Sequence, residues 1–116
     1  MVSGGLCVGR KDLSTPMNWE QADLALSLEV GEHIPKEQEQ TFIDNIVKSA
    51  RRMIVLTWAA PGQGGEGHVN NRTPEYIANE IEKRGKFRKN DALTNWLKNY
   101  ATVPWIKENL QVFLSS

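Results

Sequence analysis

Hydrophobic positions along this chain alternate between two spacings. In "ADLALSLEV", Ala22 to Val30, apolar residues dominate, with only Ser27 interrupting between Leu24 and Leu28. Such a run predicts a strand covered on both faces, as in a parallel sheet, ended by the turn "GEHIP". From Pro35 the spacing changes. Phe42, Ile43, Ile46, Val47 and Ala50 line one face of a helix, with Glu37 and Glu39 early and Lys48, Arg51 and Arg52 late, an order that suits the helix dipole. The β-branched run "RMIVLTWAA" predicts a second buried strand over Met53 to Ala59. A loop follows from Pro61 to Arg72. Thr73 then reads as an N-cap with Pro74 at the first helical position, and Tyr76, Ile77 and Ile81 form a stripe that stops at Gly85.

Strand, helix, strand, helix in that order implies parallel strands joined by right-handed crossovers, hence an α/β layered fold. The tail predicts a short strand at Lys86 to Arg88, a helix over Ala92 to Tyr100 and a closing edge strand in "LQVFLS". At the front, Leu6 to Val8 or Arg10 reads as a short strand, weakened by Gly4, Gly5 and Gly9.

Composition narrows the function classes. A chain of 116 residues holds one domain. Basic and acidic residues both number 14, so no net charge draws it to nucleic acid or anionic lipid. A single cysteine, Cys7, excludes an internal disulfide, and no apolar stretch approaches the roughly 20 residues of a membrane helix. The expectation is a soluble, cytoplasmic protein with no membrane contact.

The loop "WAAPGQGGEGH" contains G-x-G-x-x-G in Gly62, Gly64 and Gly67. A dinucleotide fingerprint works only where its glycines lead directly into a helix whose amides take the pyrophosphate. Here the helix begins near Pro74, so the motif is not such a loop, although Glu82 lies at about the distance of a ribose contact. Loops of this length in small domains often act as lids over a ligand. Both this loop and the "GEHIP" turn leave their strands at the carboxyl edge, where open α/β sheets bind ligands. That places Glu29, Glu32, His33, Trp58, His68, Asn70 and Arg72 around one crevice.

The stretch "DLALSLEVGEHIPKE" resembles the fourth strand and following turn of class I (Rossmann-like) S-adenosylmethionine-dependent methyltransferases, and the likeness continues in order through "FIDNIVKSARRMIVLTWAAPGQGGEGHVNNRTPEYIANEIEKRG". "RKDLS" is similar to the acidic residue and leucine after the family's third strand. The resemblance covers Asp12 to about Gly85 and implies the C-terminal portion of a three-layer, mostly parallel fold with an antiparallel edge strand. Carried over by residue, Asp12 would bind the adenine amino group and Leu13 would pack on the ring. Ser27, Leu28 and Glu29 would line the cofactor side, Glu32 and His33 would face the methyl acceptor and act as the catalytic pair, and Trp58, His68, Asn70 and Arg72 would form the substrate-side loop.

The family's glycine-rich segment and its acidic ribose ligand precede the matched region, and the eleven residues ahead of Asp12 leave no space for them. Residues 1–116 therefore read as a single partial domain. It is expected to bind S-adenosylmethionine weakly or not at all on its own, and to self-associate through an unpaired sheet edge. Two functions follow from the resemblance: methyl transfer to a small-molecule or unknown acceptor, or a non-catalytic remnant acting as an interaction module. A metal site from Glu29, Glu32, His33 and His68 is chemically conceivable. No metal is expected, because no tight spacing such as H-x-x-x-H is present.

Overall fold

Strand β1 (Ala22–Leu28) runs parallel to β2 (Ala50–Thr57), with Leu24 opposite Met53 and Leu28 opposite Thr57. These elements belong to a computed structural model that describes residues 21–65 and 67–115. The expected strand at Leu6 to Arg10, together with Asp12 and Leu13, lies outside the described residues. Between β1 and β2 the chain passes through two short 3₁₀ turns, Gly31–His33 and Lys36–Gln38, and helix α1 (Glu39–Ser49). After β2 come a long loop, α2 (Pro74–Glu82), β3 (Phe87–Lys89), α3 (Asp91–Lys98), α4 (Pro104–Asn109) and β4 (Gln111–Ser115). The sheet order is β1-β2-β4-β3, with β4 antiparallel to both neighbours.

Two parallel neighbours cannot be joined by a hairpin, so the connection must cross over one face. Helix α1 makes that crossing by burying Phe42, Ile43, Ile46 and Val47, which join Ala25, Ile54, Leu56, Phe113 and the α2 residues Ile77 and Ile81 in the main core. On the opposite face Leu93 and Leu97 of α3 pack on Val55, Leu110 and Val112. Helices thus flank both faces, as an α/β three-layer fold requires. The Thr73 cap and the Gly85 stop read from sequence are in place, Thr73 Oγ1 accepting from Tyr76 N at 3.1 Å and Gly85 taking φ +86° past the end of α2; Asn90, which the sequence reading does not single out, caps α3 by accepting from Leu93 N at 2.8 Å.

Several details depart from the sequence expectation. Strand β1 is covered on one face: Ala25 and Ser27 are buried, whereas Leu24 and Leu28 keep 38% and 40% of their surface exposed. The apolar cluster under α3 reaches Leu26 and Met53 but excludes Leu24 and Leu28. Ala50, expected on the helical face, opens β2 instead. "LQVFLS" is internal, because the short β3 takes the edge. Helix α4 was not foreseen, since six residues are too few to show a helical stripe; its one signal is Pro104 in the first turn.

Candidate functional site

The carboxyl ends of β1 and β2 meet at residues that the backbone holds under constraint. Glu29, directly after β1, has φ 56°, the left-handed region, which costs a non-glycine residue about 1–3 kcal/mol unless its surroundings impose it. Its amide donates to Thr57 Oγ1 at 2.8 Å, tying the exit of one strand to the end of the other. Gly31 follows for a steric reason: a Cβ there would lie 2.3 Å from Trp58 Cε3, so only glycine lets the 3₁₀ turn lie against the indole. That turn sets Glu32 and His33 in place. Glu32 is fully buried; its Oε1 accepts from Ala59 N at 3.2 Å, and its carbonyl accepts from Val69 N and Asn70 N at 2.9 and 3.0 Å.

Those bonds fasten both ends of the loop after β2. Gln63 N donates to Ala60 O at 3.0 Å across Pro61 and Gly62, the latter at φ +90°, which forms a type II turn with its expected residues. Asn71 Nδ2 clamps the turn by donating to the carbonyls of Ala60 and Gln63. The remaining glycines make room for imidazoles. A Cβ on Gly65 would come within 2.4 Å of His68 Nε2, and Gly67, at φ +77°, presents its carbonyl to His33 Nδ1 at 3.0 Å. The glycine pattern therefore packs against two histidines, and α2 begins only at Pro74. Glu82 is likewise accounted for, its Oε2 accepting from Lys89 N at 2.9 Å on β3.

A cavity of ≈ 340 Å³ opens at this edge, lined by Glu29, Glu32, His33, Gln63, Gly64, His68 and Trp105. Sequence reasoning named four of these. Gln63 was missed, although its Nε2 donates to Glu29 Oε1 at 3.0 Å and its Oε1 accepts from Asn109 Nδ2 at 2.8 Å, linking the β1 exit to α4. Trp105 was missed with α4 itself. Within the cavity the two imidazoles stand edge to face, with centroids 4.9 Å apart, and Glu32 Oε2 lies 3.7 Å from His33 Nε2 and 3.9 Å from His68 Nε2. Glu32 Oε2 and Glu29 Oε2 are buried with no hydrogen-bond partner.

The other named residues lie elsewhere. Trp58 is 2% exposed, donates Nε1–H to Asn70 O at 2.7 Å and stacks edge-on against Phe42, so its ring belongs to the core. Asn70 and Arg72 bind Glu39 Oε1 at 2.9 and 2.7 Å, and Tyr76 donates its hydroxyl to Glu39 Oε2. Burial of Glu39 pushes its carboxyl up, but the hydrogen bonds from Tyr76, Asn70 and Arg72 outweigh it and hold the group below the ordinary value; the same bond, with burial, pushes the Tyr76 phenol up to about 12. Ser27 faces α1 with its hydroxyl unpartnered, while Leu28, the next residue, sits on the opposite face of β1.

Neither a family model nor a curated protein matches the sequence. Among solved structures the chain is similar to the magnesium protoporphyrin IX methyltransferase of Synechocystis PCC 6803, crystallised with bound SAH: TM-score 0.56 over 90% of this chain at 14% sequence identity. The match spans 48% of that protein, about half its length. At this identity the likeness establishes fold. The chain has the α/β fold of a class I methyltransferase domain, in part.

Proposed function

We propose that this chain forms the acceptor side of an S-adenosylmethionine-dependent methyltransferase. The observation that carries the reading is the cavity at the carboxyl edge of the parallel pair, where Glu29, Glu32, His33 and His68 converge inside a methyltransferase fold. Methyl transfer from a sulfonium is an in-line displacement: a lone pair on the acceptor forms the new bond to the methyl carbon, and the carbon–sulfur electrons return to sulfur. The protein's share is to align the partners and to take up the acceptor's proton. His33, 44% exposed in its side chain toward solvent, and the buried Glu32 beside it are the pair suited to that proton. His68, on the loop, closes the other wall.

The cofactor finds only part of its cradle in the described residues. The unpartnered Glu29 Oε2, on the cavity wall just after β1, offers a polar contact that suits it, and Ser27 Oγ, unpartnered but buried against α1, would need the turn to open before it could join. S-adenosylmethionine, when bound, supplies the electrophilic methyl group, and these residues would hold its near side. The glycine-rich turn and the ribose carboxylate of the resemblance have no counterpart in this sequence. Losing two charge-assisted hydrogen bonds at about 1.5–3 kcal/mol each lowers affinity by two or more orders of magnitude, so binding by this chain alone should be weak.

Amide and imidazole NMR shifts of the 116-residue chain, titrated with millimolar S-adenosylhomocysteine, test this. Weak shifts centred on Ser27 to Glu29 are expected; shifts confined to another face, or low-micromolar binding, would overturn the reading. A small-molecule acceptor in a cytoplasmic setting fits an open cavity of this size and the neutral charge, and nucleic acid does not. Among the described residues no helix is long and apolar enough to cross a membrane.

One observation favours a second reading, a non-catalytic interaction module. Leu24 and Leu28 on β1 and Val30 just after it are 37–40% exposed, and β1 is an edge of the described sheet. Unpaired edges and apolar patches promote pairing between copies. Sedimentation equilibrium showing a dimer that dissociates on Leu24→Lys would support self-association there.

A further inference from the structure

We infer that Glu32, His33 and His68 form a binding site for a divalent first-row transition cation, with zinc the best-suited ion. One donor atom from each lies within 4.8 Å of the others. Around a tetrahedral ion with bond lengths of about 2.0–2.1 Å, donors sit about 3.3 Å apart. Separations of 3.7 and 3.9 Å from Glu32 Oε2 to the two Nε2 atoms need only a few tenths of an ångström of closure.

The chemistry of each donor points the same way. His33 Nδ1 faces a carbonyl, Gly67 O, at 3.0 Å, and a carbonyl can only accept, so Nδ1 carries the proton and the Nε2 lone pair points toward Glu32. That arrangement, an imidazole oriented by a backbone carbonyl behind it, is how proteins prepare a metal-binding histidine. Glu32 is held in the same manner: Oε1 is fixed by Ala59 N, while Oε2, fully buried, has no hydrogen-bond partner and only the two imidazole Nε2 atoms near it. A buried carboxylate oxygen left bare costs free energy that a cation would offset. The backbone is shaped to bring these atoms together, since side chains on Gly31 or Gly65 would strike Trp58 or His68, and Gly67 holds a φ of +77° close against His33.

Two imidazoles and one carboxylate are the donor set of zinc sites that keep a fourth position open, and these donors suit the harder magnesium and calcium poorly. The open position faces the cavity that Gln63 and Trp105 also line. If the chain acts in methyl transfer, that position suits an acceptor bound through oxygen or nitrogen: the ion would acidify its proton, which would leave to solvent through the open cavity because Glu32 and His33, as ligands, are then no longer free to take it. This last consequence rests on the proposed function; the metal site itself does not.

The test uses the tag-free 116-residue chain, freed of metal by EDTA. Calorimetry with Zn²⁺ should show one ion per chain, and Co²⁺ should give visible ligand-field bands. Loss of an outer partner alone typically weakens such sites about 10–100-fold, so Glu32→Gln, His33→Ala and His68→Ala should each cost about 100-fold or more. Far-ultraviolet circular dichroism guards against unfolding; His33 is half exposed, and Glu32→Gln retains the oxygen that binds Ala59. Absence of saturable binding at millimolar Zn²⁺ would make the cluster a histidine–carboxylate ion pair and overturn the site. So would binding that survives all three substitutions, or that is abolished by Cys7→Ser. Failure of S-adenosylhomocysteine to bind leaves this result untouched, so the two proposals fail separately.

Discussion

Two glutamates, Glu32 and Glu39, are both essentially removed from solvent, at 0% and 2% exposure, and both hold the same loop, yet they are treated in opposite ways. Glu39 opens α1, where a carboxylate favours the helix dipole, and it receives donors from Asn70, Arg72, Tyr76 and Gln40. Glu32 has one donor on Oε1 and none on Oε2, with two imidazoles a little beyond hydrogen-bond range. A buried polar group is ordinarily satisfied by its neighbours. The Glu39 end of the loop follows that rule and is architecture. The Glu32 end departs from it in a cavity, where an incoming ligand can complete the set, and the strained Glu29 beside it fits the same picture.

The largest expected effect separates the two by the same substitution. Glu39→Gln should cost about 2–3 kcal/mol, because it leaves the Arg72 guanidinium and the Tyr76 hydroxyl without their charged acceptor; the figure is held down because Arg72 reaches solvent. Glu32→Gln should cost less than about 0.5 kcal/mol, since Oε2 has no bond to lose and the Ala59 contact persists. Urea unfolding measures both. Equal costs would erase the distinction between an architectural carboxylate and one reserved for a ligand.

Next in size is Gly31→Ala. The added carbon would enter the indole of Trp58, and overpacking of this kind costs about 1–3 kcal/mol. Because Gly31 carries Glu32 and His33, the variant should also weaken ligand binding; Gly62→Ala meets no atom within 4 Å, so its cost should come from the strained φ of +90° in the turn and not from a clash. Chemical denaturation paired with the zinc titration reads both effects. A Gly31→Ala protein as stable as the parent would show that the turn can move off Trp58.

The Glu39 cluster also predicts a pH profile. Its folded carboxyl lies below the ordinary value, so it contributes stability that is present above the unfolded value, about 4.3, and is lost as pH falls through the lower folded one. Tyr76 acts at the other end: its folded value of about 12 exceeds the unfolded value of about 10, so its contribution is full below the latter and is lost as pH rises through about 12. Thermal melts across pH should fall at both extremes, with Tyr76→Phe flattening the alkaline arm and Glu39→Gln the acid one. Unchanged arms would mean that the cluster does not set them.

Much of the architecture was legible because it is local. Two apolar runs and two amphipathic stretches fixed β1, α1, β2 and α2, and Thr73 and Pro74 marked the start of α2 to the residue. The position of β4 was not legible, since which strand lies inside a sheet depends on long-range pairing that a period of two does not encode. At the site, residues adjacent in sequence, Glu29, Glu32 and His33, could be placed by following one turn, and His68 by assuming that both loops face one edge. Trp58, Asn70 and Arg72 lie near that edge but do not line the cavity, because the buried Glu39, far along the chain, draws the side chains of the last two to itself. No spacing rule shows such a partner, nor the orphaned oxygen on Glu32.

The smallest expected effect falls on Trp105, which sequence reasoning passed over. It is 52% exposed at the start of α4, so Trp105→Ala removes little buried surface and should change stability by less than about 0.5 kcal/mol, within the usual range for surface substitutions. Yet the ring lines the cavity beside Glu29, His33 and His68. An aromatic wall that is barely needed for folding is available to contact a ligand, where a stacked ring contributes about 0.5–1.5 kcal/mol beyond its area. Trp105→Ala should therefore weaken binding of any organic occupant of the cavity by about two- to tenfold while leaving zinc affinity unchanged, because the ring is no part of the three-donor cluster. NMR titration with S-adenosylhomocysteine or a candidate acceptor, run beside the zinc calorimetry, separates the two. A parallel loss of zinc binding would mean that α4 props the histidines in place, and would move Trp105 from the binding wall to the architecture that Glu39 represents.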